Sequence, residues 1–382
     1  MDTIGYLKKY GNKKFSEVPF SVVDAMILAQ ISYAEWPISK KNVPFEKTTK
    51  AVKLRDYSSN KEIKELFSNA VSGPKIVKLY KVAIACKRYK HTRVAYIQDI
   101  FDDKKVVQFC AMTFLFKDAN PVIAFRGTDK SLVGWKEDMQ LAFKQEIQGQ
   151  FESVTYIEKV IERVGSRFNI VGHSKGGNIA AYSLYKIQPR TYNLLDAVYN
   201  LDGPGFLYPE KIFEEENVKI RTEKMHKYIP IDSMVGILLN QTSEYSVVQS
   251  SKVLIGQHNP GNWKIDPKTM SVKLAKKRSQ ASKSVEASTY KWVTNNKPED
   301  IEMCVNKIFE FLGLSDSTID SLLKDIRGTI KRFMGFYNQE SEEDKILLKR
   351  TMLGLLIEWR DVMLQYGKTT VSKINIIKRI KK

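Results

Sequence analysis

Residues 168–177 read Phe-Asn-Ile-Val-Gly-His-Ser-Lys-Gly-Gly, and no other stretch limits the possible folds as tightly. The apolar run 168–171 predicts a buried strand, and 178–187 predicts a helix. Between them stands Gly172-His173-Ser174-Lys175-Gly176, a G-x-S-x-G sequence. A strand that turns straight into a helix leaves no room for side chains flanking the turn, so glycine stands at 172 and 176. The serine between them is pushed into a strained conformation with its hydroxyl exposed. Gly177 lets the helix pack close to the strand. The helix also aims its first N–H groups at the spot where negative charge would develop.

The pattern around this turn repeats the same grammar. Helices are expected at 21–35, 60–70, 75–89, 134–144, 151–164 and 176–187. Strands are expected at 93–100, 106–116, 122–125, 168–172, 195–201, 225–229 and 252–256, with Asp102-Asp103 turning the first pair into a hairpin. Ser21 and Asp24 form a capping-box pattern, Val23, Ile27, Ile31 and Ala34 share one helical face, and Trp36-Pro37 ends that helix. Strands alternating with helices imply an α/β class fold whose mostly parallel central sheet is covered by helices on both faces.

A serine hydroxyl needs a base before it can attack. The chain has four histidines, at 91, 173, 226 and 258. His173 is inside the turn and should point away from the exposed hydroxyl, in a structural role. His258 follows the last expected strand, in Gly-Gln-His-Asn-Pro-Gly-Asn-Trp263, and fits the order serine, acid, histidine. Two acids fall between Ser174 and His258 at strand ends: Asp202 before Gly-Pro-Gly, and Asp232 after Ile-Pro-Ile. Asp202 could equally be a turn residue, and Asp232 the cap of a helix at 233–239; the residues leave both open. An oxyanion hole needs two backbone N–H groups. One is expected from Lys175, next to the nucleophile. Thr128, in the loop after the strand 122–125, is expected to give the other. No metal and no organic cofactor is required by this chemistry.

Outside this region the composition changes. Residues 267–298 carry eight Lys/Arg among many Ser, Thr and Asn, and read as a basic linker or arm. Amphipathic helices are expected at 301–312, 319–336 and 344–366, followed by a basic tail at 368–382. The expected division is therefore a domain at 1–266 with N-terminal helices within 1–90, a linker at 267–298, and a helical appendix at 299–382. The whole chain has 62 Lys+Arg against 43 Asp+Glu. That excess favours an anionic partner, such as a phospholipid surface reached through the arm and tail. No recognised nucleic-acid motif is present. Three widely spaced cysteines, no apolar leader and no run long enough to span a bilayer suggest a cytoplasmic protein, peripheral to the membrane at most.

Phe125-Arg-Gly-Thr128 followed by Gly-His-Ser-x-Gly-Gly resembles the class 3 (fungal-type) lipases of the α/β-hydrolase superfamily. More closely, the chain resembles the bacterial Mbeg1-like family, formerly the domain of unknown function numbered 2974. The matching segments are 23–33, 124–138, 172–179, 202–206, 235–239 and Gln257-His258 with Trp263, spread over roughly 20–266. The resemblance implies an α/β-hydrolase fold, a lipase- or esterase-like serine site and an ester or lipid substrate. It also implies a lid near 131–145, with Leu132, Val133 and Trp135 as lid candidates. The family motif includes Asp202, whereas the usual acid position of class 3 lipases corresponds to Asp232. Lysine at 175 departs from the apolar residue usual in lipases and puts a purely apolar acyl pocket in question. The expected function is a serine esterase or lipase working through an acyl-enzyme on Ser174. The rival is a catalytically silent hydrolase-like module that binds an anionic membrane or a protein.

Overall fold

The computed structural model describes residues 1–38, 41–313 and 326–351. Its centre is an eight-stranded sheet in which spatial order follows chain order. The strands are β1 (Val52–Lys53), β2 (Arg93–Asp102), β3 (Val107–Leu115), β4 (Val122–Phe125), β5 (Phe168–His173), β6 (Leu195–Leu201), β7 (Met225–Pro230) and β8 (Ser246–Val248). β1 to β4 pair antiparallel, and β4 to β8 pair parallel. The β2–β3 hairpin turns at the expected aspartates. The architecture is mixed α/β, consistent with an α/β-hydrolase-like fold.

Strand residues point alternately to the two faces, and both faces are covered. In β4, Val122 and Ala124 enter one core, with Met112, Phe114 and Val171. Ile123 and Phe125 enter the other, with Phe109, Ala111 and Ile170. The first core is roofed by the N-terminal helices, and the second by the helices Gln148–Val164 and Lys175–Lys186. This two-sided burial is why the strands read as continuous apolar runs.

The helix Val22–Ile31 carries the expected Ser21–Asp24 capping box, but all ten of its residues are buried rather than one face. Asp24 is held inside by the Arg88 guanidinium (2.7 and 2.8 Å) and the Tyr89 hydroxyl (2.5 Å), which lets an acid sit in an otherwise apolar helix.

Three expectations change. The last strand of the eight-stranded sheet is Ser246–Val248, not 252–256, which instead enters a 3₁₀ turn at Leu254–Gln257. No helix forms at 233–239; those residues make turns around Asp202. The basic stretch 267–298 contains a folded helix, Gln280–Asn295, whose Val285 and Trp292 are buried. Charge had suggested a solvated arm, but the apolar residues at helical spacing found a face to pack on. The next helix, Pro298–Leu312, joins it around Leu132 and Phe143. The helix Ile326–Gln339 covers the described part of the second expected appendix helix. Most of the third expected helix and the tail at 368–382 lie outside the described residues. Among the described residues no helix is long and apolar enough to cross a membrane.

Candidate active site

The C-terminal ends of β5 and β6 lie side by side, with His173 paired to Leu201. Ser174 follows β5 with φ 59° and ψ −128°, a conformation that costs an L-residue of order 1–3 kcal/mol and is held by its surroundings. Its N–H donates to the Leu201 carbonyl at 3.1 Å. A Cβ at Gly172 would collide with the Gly176 carbonyl, and one at Gly176 with the Phe125 carbonyl. The two glycines are therefore there for backbone contact. The helix Lys175–Lys186 starts at the serine.

Asp202 follows β6, fully buried. Its Oδ2 lies 2.7 Å from His258 Nδ1. Its Oδ1 accepts from Ser233 Oγ (2.6 Å) and Gly236 N–H (3.1 Å). Three partners hold the carboxylate in place. His258 lies beyond β8, and its side chain is one-fifth exposed. Among the described residues no hydrogen bond joins Ser174 Oγ to the His258 ring. The two are brought together through His173, whose Nε2 meets the His258 carbonyl at 2.8 Å and whose ring centroid is 4.5 Å from that of His258.

Asp232 does not touch His258. Its Oδ2 accepts from Gln257 Nε2 (2.6 Å) and Leu254 N–H (3.2 Å), and its own N–H donates to Gln257 Oε1 (3.1 Å). It fastens the loop on which His258 rides. His173 is structural, as expected. Burial pushes its pKa well below the usual histidine range, which favours the neutral ring. Its Nε2–H donates to the His258 carbonyl, which leaves Nδ1 to accept from the Tyr33 hydroxyl at 3.1 Å.

The other side of the serine is formed by the loop after β4. Gly127 sits so close that a Cβ there would collide with the Tyr33 hydroxyl and lie 3.3 Å from Ser174 Cβ. Arg126, buried behind the loop, is 3.4 Å from Asp99 and 3.7 Å from Asp129. Neither the Thr128 nor the Lys175 N–H engages a backbone acceptor among the described residues. The Thr128 hydroxyl donates to Asp138 Oδ2 at 2.6 Å. Burial pushes the Asp138 carboxyl up to about 6, against the opposing pull of Lys175. Its Oδ1 is buried with no hydrogen-bond partner.

Lys175 turns its side chain away from the serine. Nζ donates to Glu137 Oε2 (2.5 Å), Gln108 O (2.7 Å) and Gln108 Oε1 (2.9 Å), in a fully buried ion pair. The lysine therefore ties the elbow to the helix Leu132–Gln140 and brings no charge to an acyl pocket. That helix is the expected lid. Leu132 and Val133 are buried, and Leu132 packs against Trp292, Ile301, Val305 and Phe309. Only Trp135, 38% exposed, faces outward. Leu132, one of the expected lid residues, is a packing contact with the C-terminal helices.

Tyr33, Asp138 and Ser233 belong to the site but were given no role from sequence. Tyr33 and Asp138 stand inside segments that carry the family resemblance, which was the available signal. Ser233 had none. Among the described residues no cluster of His, Cys, Asp or Glu is arranged to hold a metal. A cleft of about 320 Å³, formed by the loops after β6 and β7 and the helix Gln280–Asn295, is lined by Leu207, Leu239, Tyr290 and Val293 and by no member of this constellation.

Fold and site together define an α/β protein with a serine elbow and an acid–histidine pair at the C-terminal edge of its sheet, where such folds place their sites. The chain belongs to the Mbeg1-like family, whose model matches residues 83–310. The match includes the helix Gln280–Asn295 and all but the last two residues of Pro298–Leu312, which lie outside the sequence resemblance. No curated protein and no solved structure matches the chain.

Proposed function

We propose that the protein is a serine hydrolase of carboxylic esters, with lipid acyl esters as the candidate substrates. The observation that supports this best is the 2.7 Å contact between His258 Nδ1 and Asp202 Oδ2, beside an elbow serine in a strained backbone. With Nδ1–H held by the carboxylate, Nε2 is the free base. It takes the proton of Ser174 Oγ as that oxygen attacks the ester carbonyl. The N–H groups of Lys175 and Thr128 receive the developing oxyanion. The imidazolium, stabilised by Asp202, returns its proton to the leaving alkoxide. Water then repeats the sequence on the acyl-enzyme. The first turn of Ser174 Oγ towards Nε2 falls to substrate binding, since catalytic hydrogen bonds tighten in the substrate complex. Buried free thiols at Cys86, Cys110 and Cys304 suit a reducing, cytoplasmic setting.

The test is labelling by a fluorophosphonate, together with hydrolysis of p-nitrophenyl butyrate. Both are expected in the wild type. Labelling and turnover absent from a folded wild type would reject the hydrolase and leave the silent binding module. Ser174→Ala should lower turnover by on the order of 10⁶.

A further inference from the structure

Val253 and Ile255 are 71% and 61% exposed, in the turn that ends at His258. The turn is not frayed. Gly256 N–H donates to the Val253 carbonyl and His258 N–H to the Ile255 carbonyl, at 3.1 and 3.0 Å. Asp232 grips Leu254 and Gln257 from below. Two aliphatic side chains are thus held out into solvent by a braced backbone, a few residues from the catalytic imidazole.

A second segment lies on the same side. Residues 273–275 run along the outer edge of β8: Leu274 bridges Val248, Ala275 N–H donates to the Val247 carbonyl, and Gln249 N–H to the Lys273 carbonyl. Four residues farther along, Ser279 N–H donates to the Ile231 carbonyl, beside Asp232. Both segments therefore converge on the turn at 231–232. Leu274 is 56% exposed, and Lys252, Lys273, Lys276 and Lys277 in the two segments are exposed as well. From 245 to 285 the chain has eight basic residues and a single acid, Asp266.

We infer that this face, residues 252–255 with 273–277, is where the protein docks on an anionic phospholipid surface, with the His258 side of the site turned towards the membrane. Exposed aliphatic tips with exposed lysines in the same segments are the chemistry of a membrane interface: the tips enter the headgroup boundary while the ammonium groups meet phosphate and carboxylate. A nucleic acid would use the lysines but has nothing for three aliphatic side chains. The inference rests on the ester-hydrolase reading in that it names where a lipid substrate would come from. The surface itself is argued from exposure and charge.

The test uses the full-length Ser174→Ala protein, so that binding is read without activity. Co-sedimentation is measured with phosphatidylcholine vesicles with and without 30% phosphatidylserine. Binding should require phosphatidylserine and weaken steeply with salt. Each basic residue near an anionic leaflet is worth roughly a fivefold factor in binding. The triple variant Lys273→Gln, Lys276→Gln, Lys277→Gln should therefore bind on the order of 100-fold more weakly. In the wild-type background the same triple variant should hydrolyse a soluble ester at the normal rate. A tryptophan at 253, introduced as Val253→Trp, should shift its emission to shorter wavelength on the vesicles. Four results each overturn the inference: binding that ignores phosphatidylserine, full binding by the glutamine variant, an unshifted Val253→Trp spectrum on bound vesicles, or tighter binding to duplex DNA than to vesicles at equal salt.

Discussion

Asp202 and Asp232 pose the same question to a reader of the sequence and receive different answers from the fold. Both follow a parallel strand and precede His258. Asp202 reaches the imidazole, and Asp232 reaches the loop that carries it. Asp202→Asn should keep the geometry but favour the wrong tautomer of His258, lowering turnover by on the order of 10⁴. Asp232→Asn should leave turnover within about tenfold, because its partners are backbone and amide groups worth about 1–3 kcal/mol of loop stability. Steady-state kinetics on the two variants separates the roles; the reverse ranking would move the catalytic acid to 232. Asp138 has a signature in pH. Burial raises its carboxyl from 3.8 to about 6, so the folded state holds that proton more tightly than the unfolded state. Its contribution to stability is present below pH about 4 and is lost as pH rises through about 6. Asp138→Asn removes this loss. The stability of the variant relative to wild type should thus rise by up to about 3 kcal/mol between pH 4 and 7, read from urea unfolding.

At the scale of elements, the expected lid is the helix Leu132–Gln140. It is fixed at one side by the buried Lys175–Glu137 pair and at the other by Leu132 among the C-terminal helices. Hydrogen exchange should therefore find its amides protected nearly as well as those of Lys175–Lys186; fast exchange there would restore a mobile lid. Glu137→Gln leaves the Lys175 ammonium buried without its counter-charge and should cost about 3–5 kcal/mol. Pairing it with Lys175→Met should recover most of that loss, measured as a double-mutant cycle.

For the whole molecule, the C-terminal helices are part of the hydrolase-like body. Ser282 Oγ donates to the Ser233 carbonyl at 2.7 Å, and Ser233 in turn holds Asp202. Val285 packs with Ile229 and Ile237. Trp292→Ala empties a site shared by the helices and Leu132, and should cost about 3–5 kcal/mol. It should lower the midpoint of a single unfolding transition seen by circular dichroism and by tryptophan fluorescence alike. Two separated transitions would show that the sheet and these helices fold apart.

The sequence determined the strand–serine–helix turn and the two-faced burial of β4 and β5. Each of these is written locally. Gly172 and Gly176 are needed by contacts within the turn and its neighbouring strand. The apolar run at 122–125 is needed wherever both faces of a strand are covered. The carboxylate that meets His258, the hydrogen bond between Tyr33 and His173 and the true setting of Lys175 were decided by tertiary structure. Tyr33 and His173 are 140 residues apart, and which carboxylate meets His258 depends on how far the loop after β8 folds back over β6. A lysine that reads as a charge beside the nucleophile becomes a buried tie only because Glu137 and Gln108 arrive from other elements. Local spacing encodes backbone conformation and burial, whereas side-chain partnership across the sheet is fixed only when packing has set the distances.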